Sequence, residues 1–232
     1  MNDVKGAASE GTRRYVSALR AESARRTRRA ILDAAVSLFD AGGFAGASLQ
    51  EIADLAGVAR PTVTAVFGSK AAILKEAMDE ALAGDDEPVP VAQRPWFRPV
   101  LDAATRGELF DAYAEVCCLI GARAAMLFEV CRRAADQGPE TRAIWKTAVA
   151  NRRLGAGMVA ARLAEIESSA WPDGSSRRSR LIDGIWMLND PSHYEALVTQ
   201  RGWDEPSFTR WLSAHLHAAA ATAQPASEAP PA

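Results

Sequence analysis

The polar side chains that could do chemistry concentrate in one stretch of this sequence, and their pattern suits holding a polyanion rather than breaking bonds. Residues 12–70 hold nine Lys/Arg against five Asp/Glu, a net of +4. The whole 232-residue chain stands at −2, so the remainder carries −6. A basic end on an acidic body fits a negatively charged polymer at one end only. Arg25, Arg26, Arg28 and Arg29 crowd together early in the chain. Ser48 and Gln50 open one short helical pattern, Arg60, Pro61, Thr62 and Thr64 open the next, and Lys70 stands at the start of a third. Hydroxyl, amide and cationic groups at helix starts, beside free backbone N–H groups, are what phosphate oxygens bind.

Residues for catalysis or metal binding are sparse. His193, His215 and His217 are the only histidines, and the last two are too close in sequence to share a helix face. No HExxH, nucleophile elbow or phosphate loop is present. Gly155-Ala156-Gly157 lies in a helical pattern with no strand before it, which excludes a dinucleotide fingerprint. Cys117, Cys118 and Cys131 are odd in number and lack paired spacing, so they read as small buried residues in a reducing compartment. Neither enzyme activity, nor a cofactor, nor a metal is expected. An h-region behind the N-terminus and an apolar run long enough for a membrane are both missing, so the expected location is cytoplasmic, without a membrane partner.

The elements that must position these residues read as helices throughout. Residues 1–12 are small and polar and are expected to be disordered, the arm extending to residue 20. A first helix over 21–41 carries Ile31, Ala34, Ala35, Leu38 and Phe39, and Gly42-Gly43 stops it. Ser48 with Glu51 makes a capping box for a second helix, 49–56. Gly57 gives the turn, and Pro61 fits the first turn of a third helix that ends at Gly68. Two short helices about a glycine turn, packed through Ala53, Val58 and Val63, can present the third helix to a DNA major groove.

With its flanks, this segment resembles the TetR family of transcriptional regulators. The resemblance rests on the arginine-rich first helix and on Phe39-Asp40-Ala41-Gly42-Gly43-Phe44. It continues through Ser48-Leu49-Gln50-Glu51-Ile52-Ala53, Ala56-Gly57-Val58-Ala59-Arg60 and Phe67-Gly68-Ser69-Lys70-Ala71-Ala72-Ile73-Leu74. It departs at Thr64-Ala65-Val66, where the family usually carries rings that touch phosphates and thymine methyls. The contacts expected with DNA are therefore Arg28 from the basic arm, Ser48 and Gln50 on phosphate, Arg60, Pro61, Thr62 and Thr64 at the reading helix, and Lys70 on phosphate.

The resemblance implies an all-α fold. A helix-turn-helix domain over 21–71 is joined by a linking helix to a helical ligand-binding and dimerisation domain over 72–222, followed by a disordered tail over 223–232. It implies a homodimer on a palindromic operator in double-stranded DNA, and a repressor released by a small, largely apolar effector of unknown identity. In the body, a Pro-rich acidic loop spans 84–90, Thr105 with Glu108 caps a long helix kinked at Gly121, and further helices span 140–166, 176–189 and 206–222. Trp96, Phe110, Tyr113, Cys117, Phe128, Trp145 and Met158 suit either an apolar cavity or a filled core. Leu181, Ile185 and Trp186, with Phe208, Trp211, Leu212 and His215, lie in two helices that either cap their own core or form a four-helix dimer interface. The alternatives are a constitutive or architectural DNA-binding protein without a ligand and, further off, an α-helical enzyme.

Overall fold

A computed structural model describes residues 4–167, 171 and 174–223, with side chains from residue 19 onward. The expected tail lies, apart from Ala223, outside the described residues, as do Pro172 and Asp173. Every regular element among the described residues is helical. The chain divides into two compact units, Met1–Ala77 and Met78–Ala232. Among the described residues no helix is long and apolar enough to cross a membrane.

The first unit comprises α1 (Val4–Gly46), α2 (Leu49–Ala56), α3 (Arg60–Phe67) and the first half of α4 (Lys70–Ala83). α1 begins at Val4, well ahead of the start expected at 21 and inside a segment expected to be disordered. The extra turns carry Ala, Arg, Glu and Leu, which favour helix without an apolar stripe, so periodicity is blind to them. Gly43 breaks α1 with φ 66, a conformation that glycine adopts without strain. Ile31, Leu32, Ala35 and Phe39 then meet Ile52, Ala53, Val63, Ile73 and Leu74 in a small dry core.

The second unit comprises α5 (Arg98–Asp102), α6 (Arg106–Ala134), α7 (Pro139–Ile166), α8 (Ser176–Leu188), α9 (Ser192–Tyr194) with a π-helical turn over Glu195–Gln200, and α10 (Glu205–Ala223). α6 packs on α7, α7 on α8, α8 on α10, and α10 back on α6, a ring of four helices. Phe110, Leu163, Leu181, Phe208, Leu212 and Leu216 fill its centre. Gly121 does not kink α6, which runs unbroken. A Cβ there would lie 2.6 Å from Tyr194, so this glycine is the notch that seats α9. The acidic loop after α4 is wound around Arg94, which is 4% exposed and donates to the carbonyls of Glu87 and Val89 and to the Asp85 carboxylate.

Candidate nucleic-acid interface

The helix-turn-helix is fixed by chemistry within four residues. The Ser48 hydroxyl accepts from the Glu51 amide at 3.1 Å, and the Ser48 amide donates to the Glu51 carboxylate at 2.8 Å. These reciprocal bonds lock the α2 start, and they hold the Glu51 carboxyl below its usual pKa. At the other end Gly57 takes φ 68, and its N–H reaches the carbonyls of Ala53 and Asp54. The start of α3 differs, because Ala59 offers it no side-chain cap. Pro61 has no N–H there and the Thr62 N–H donates to the Ala59 carbonyl at 2.8 Å, so what the first turn offers an outside acceptor is chiefly the positive end of the helix dipole.

Helical geometry sorts the α3 side chains into three faces. Val63 is buried. Thr62 and Val66 are half-buried and line a groove with the first half of α1. Arg60, Pro61, Thr64 and Ala65 face outward. Of the expected base readers, Arg60, Pro61 and Thr64 thus share an exposed face, while Thr62 sits at its edge. Ser48 and Gln50 are exposed at the α2 start. The Gln50 amide nitrogen donates to Asp54 at 2.8 Å, which leaves the amide oxygen facing out.

Lys70 and Arg28, expected at DNA, also hold contacts within their own unit and stay half-buried. The Lys70 ammonium donates to the carbonyls of Phe44 at 2.5 Å and Ala47 at 2.6 Å, and lies 4.1 Å from the centroid of the Phe44 ring. It closes the chain where α1 ends. Burial draws its pKa down, with the Glu51 charge pulling the other way. The Arg28 guanidinium forks onto Glu76, donates to the Val66 carbonyl at 3.4 Å, and stacks 4.5 Å from the Phe67 ring centroid. Two of the three Lys70 hydrogens and three of the five Arg28 N–H groups are held within the unit. The partners lie 26 and 48 residues away, so no local pattern signals them.

In the second unit, Trp96, Phe110, Tyr113, Cys117 and Met158 come together in or against one apolar cluster. Phe128 and Trp145 pair edge to face outside that cluster. The buried Tyr113 hydroxyl accepts from the Asn189 side chain at 2.8 Å, and Arg152 ties Asn189, the Trp186 carbonyl and Asp190 together. Burial pushes the Cys117 and Cys131 thiols up to about 12, so both stay protonated and unreactive at neutral pH. No group of three or more potential metal ligands gathers among the described residues. Four of the residues expected at a dimer interface, Leu181, Ile185, Phe208 and Leu212, are buried in this chain's own core. Helical spacing marks an apolar face without saying what covers it. Trp186 and Trp211 are half-buried and His215 is exposed, so these three remain at the surface.

The model of the TetR family of bacterial regulatory proteins matches residues 31–77, the same helices just described. No curated protein sequence matches the chain. Its fold resembles that of a candidate TetR-family transcriptional regulator from Mesorhizobium loti, with a TM-score of 0.59 at 19% identity over 86% of this chain and 97% of that one. A candidate transcriptional regulator from Pseudomonas aeruginosa is similar too, with a TM-score of 0.56 at 18% identity over 84% of this chain and 91% of that one. These likenesses are of fold. The family match covers the helix-turn-helix segment of the first unit, and the two solved structures share the fold of most of the chain.

Proposed function

We propose that the chain is a homodimeric, non-enzymatic repressor that leaves a palindromic operator when a small, largely apolar molecule binds its helical body. The observation that carries the DNA side of this reading is the exposed, uncapped start of α3. Arg60 and Thr64 are one turn apart there, and a capped α2 and a glycine turn hold them. Arg60 reads base edges, Pro61 and Thr64 pack against the groove, and Ser48 and Gln50 touch phosphate. Two copies read half-sites about one helical turn, or a multiple, apart. Residues 72–222 supply ligand binding and dimerisation. The apolar cluster around Phe110, Tyr113 and Met158, with its few buried polar groups, is the chemistry such a ligand needs. A partner would cover the surface that α8 and α10 leave open, where Trp186, Trp211 and His215 are joined by Met187 at 59% exposure.

Selection of bound fragments from genomic DNA tests the reading most directly. It should return one inverted-repeat motif, and recovery of fragments without a shared motif would overturn operator recognition. A screen of apolar compounds against the recovered complex should then find one that releases the DNA. Binding that no compound reverses would favour a constitutive DNA-binding protein. Light scattering should give a dimer, and Met187→Glu should shift it toward monomer.

A further inference from the structure

The core-facing stripe of α1 does not end where the core ends. Ile31, Ala34 and Ala35 face the other helices of the first unit. The same face, followed back by steps of three and four, runs through Thr27, Ala24 and Arg20. With Ser23 it forms one wall of an open groove of about 580 Å³, and Thr62 and Val66 of α3 form the other. A helix face that turns from apolar to small, hydroxylic and cationic as it leaves the core is suited to a polar, negatively charged occupant. Arg28 at the floor is committed to Glu76, but Arg20 and Arg25 are exposed and have no acidic partner among the described residues. The opposite wall is the flank of the reading helix, so whatever lies in this groove runs beside the bases that α3 meets.

We infer that this groove seats one sugar–phosphate strand of the DNA that flanks the half-site, with Arg20 and Arg25 neutralising its phosphates. The inference rests on the DNA-binding reading and adds a second grip to it. The strand lies along Ala24 and Val66, whose small side chains leave room for the sugars, while Ser23 and Thr27 offer hydroxyl donors. This grip reads no bases, and it supplies affinity where Thr64-Ala65-Val66 lacks rings. Arg26, about 200° round the helix from Ala24, points away from the groove and has no part in it.

The test is fluorescence anisotropy of the full chain on a mixed-sequence duplex of about 30 base pairs, titrated between about 50 and 300 mM salt. Arg20→Ala with Arg25→Ala should lower the slope of log affinity against log salt by about two units, and each single change by about one. Ala24→Trp, which fills the groove without altering charge, should weaken binding at least about tenfold. Circular dichroism should be unchanged in all of them, since every change lies on an exposed helix face. Arg26→Ala should leave the slope nearly as it was. If Arg26→Ala lowers the slope as much as Arg20→Ala, the effect is diffuse basic charge and the inference falls. Wild-type slopes and affinities in the groove variants would also overturn it. Failure of the unaltered chain to bind any duplex at low salt would instead remove the DNA-binding reading beneath it.

Discussion

The first unit closes on a handful of large apolar side chains, chiefly Ile31, Phe39, Ile52, Ile73 and Leu74, whereas the second surrounds a broad cluster that runs from Phe97 to Ala223. The two therefore lean on different forces. In the smaller unit the helix ends are tied by cations, Lys70 onto two carbonyls and Arg28 onto Glu76. The larger unit has comparable ties, such as Arg162 onto the Ala103 carbonyl, but they lie on the rim of a core that would hold without any one of them. Burial of apolar area grows with the size of a unit, so a small one depends more on each polar latch.

The sharpest break in this contrast would come from Leu212. This residue is fully buried in the second unit, and Leu212→Ala should cost about 2–5 kcal/mol in urea unfolding at fixed protein concentration. A loss only of dimer, with subunit stability intact, would return Leu212 to an interface and undo the contrast. Next in size, Lys70→Met should remove about 1–3 kcal/mol from the first unit by taking the ammonium away from the carbonyls of Phe44 and Ala47. Hydrogen exchange at the α1–α2 junction would show it. Unchanged protection with weaker DNA binding would mean that Lys70 works outward after all. Arg60→Ala should leave both units as stable as before while relaxing base preference by about 1–3 kcal/mol at one position, read by a competition gel shift. Equal capping chemistry permits a matched pair. Ser48→Ala and Thr105→Ala each remove a hydroxyl that accepts a backbone N–H, and each should cost about 1 kcal/mol. If the costs match, the difference between units belongs to cores and latches rather than to helix ends.

The smallest effect is one of pH. Ser48 keeps the Glu51 carboxyl below its ordinary value of 4.5. The folded state therefore binds this proton less readily than the unfolded chain does. Its contribution is complete above about pH 4.5 and disappears as pH falls through the lower folded value. Glu51→Gln should flatten the acid side of the first unit's stability profile. An acid limb identical to wild type would show that the box does not couple to folding.

What could be read from the sequence follows the reach of each interaction. The Ser48–Glu51 box, the Gly57 turn and the stop at Gly43 involve partners within four residues and were all legible. The Lys70 and Arg28 latches join positions 26 and 48 apart, and a cation before a helix looks the same whether it faces inward or outward. Gly121 looked like a flaw in a helix because the residue it accommodates, Tyr194, is far along the chain. Leu181, Ile185, Phe208 and Leu212 had the right spacing for a buried face, but spacing does not distinguish a core from a partner. The residues beside them that stay at the surface, Trp186, Trp211 and His215, are set apart only by burial.

The amine of Lys70 also has a consequence for covalent chemistry. This chain has four lysines, and Lys75 and Lys146 are exposed. Acylating reagents should modify those two quickly at mildly alkaline pH. Lys70 is half-buried and should react more slowly, because two of its hydrogens are held by carbonyls. Its modification is easier when the loop after α1 opens, and the lost charge then works against reclosure. The time course of Lys70 acylation, followed by mass spectrometry, is thus a measure of how readily that loop opens.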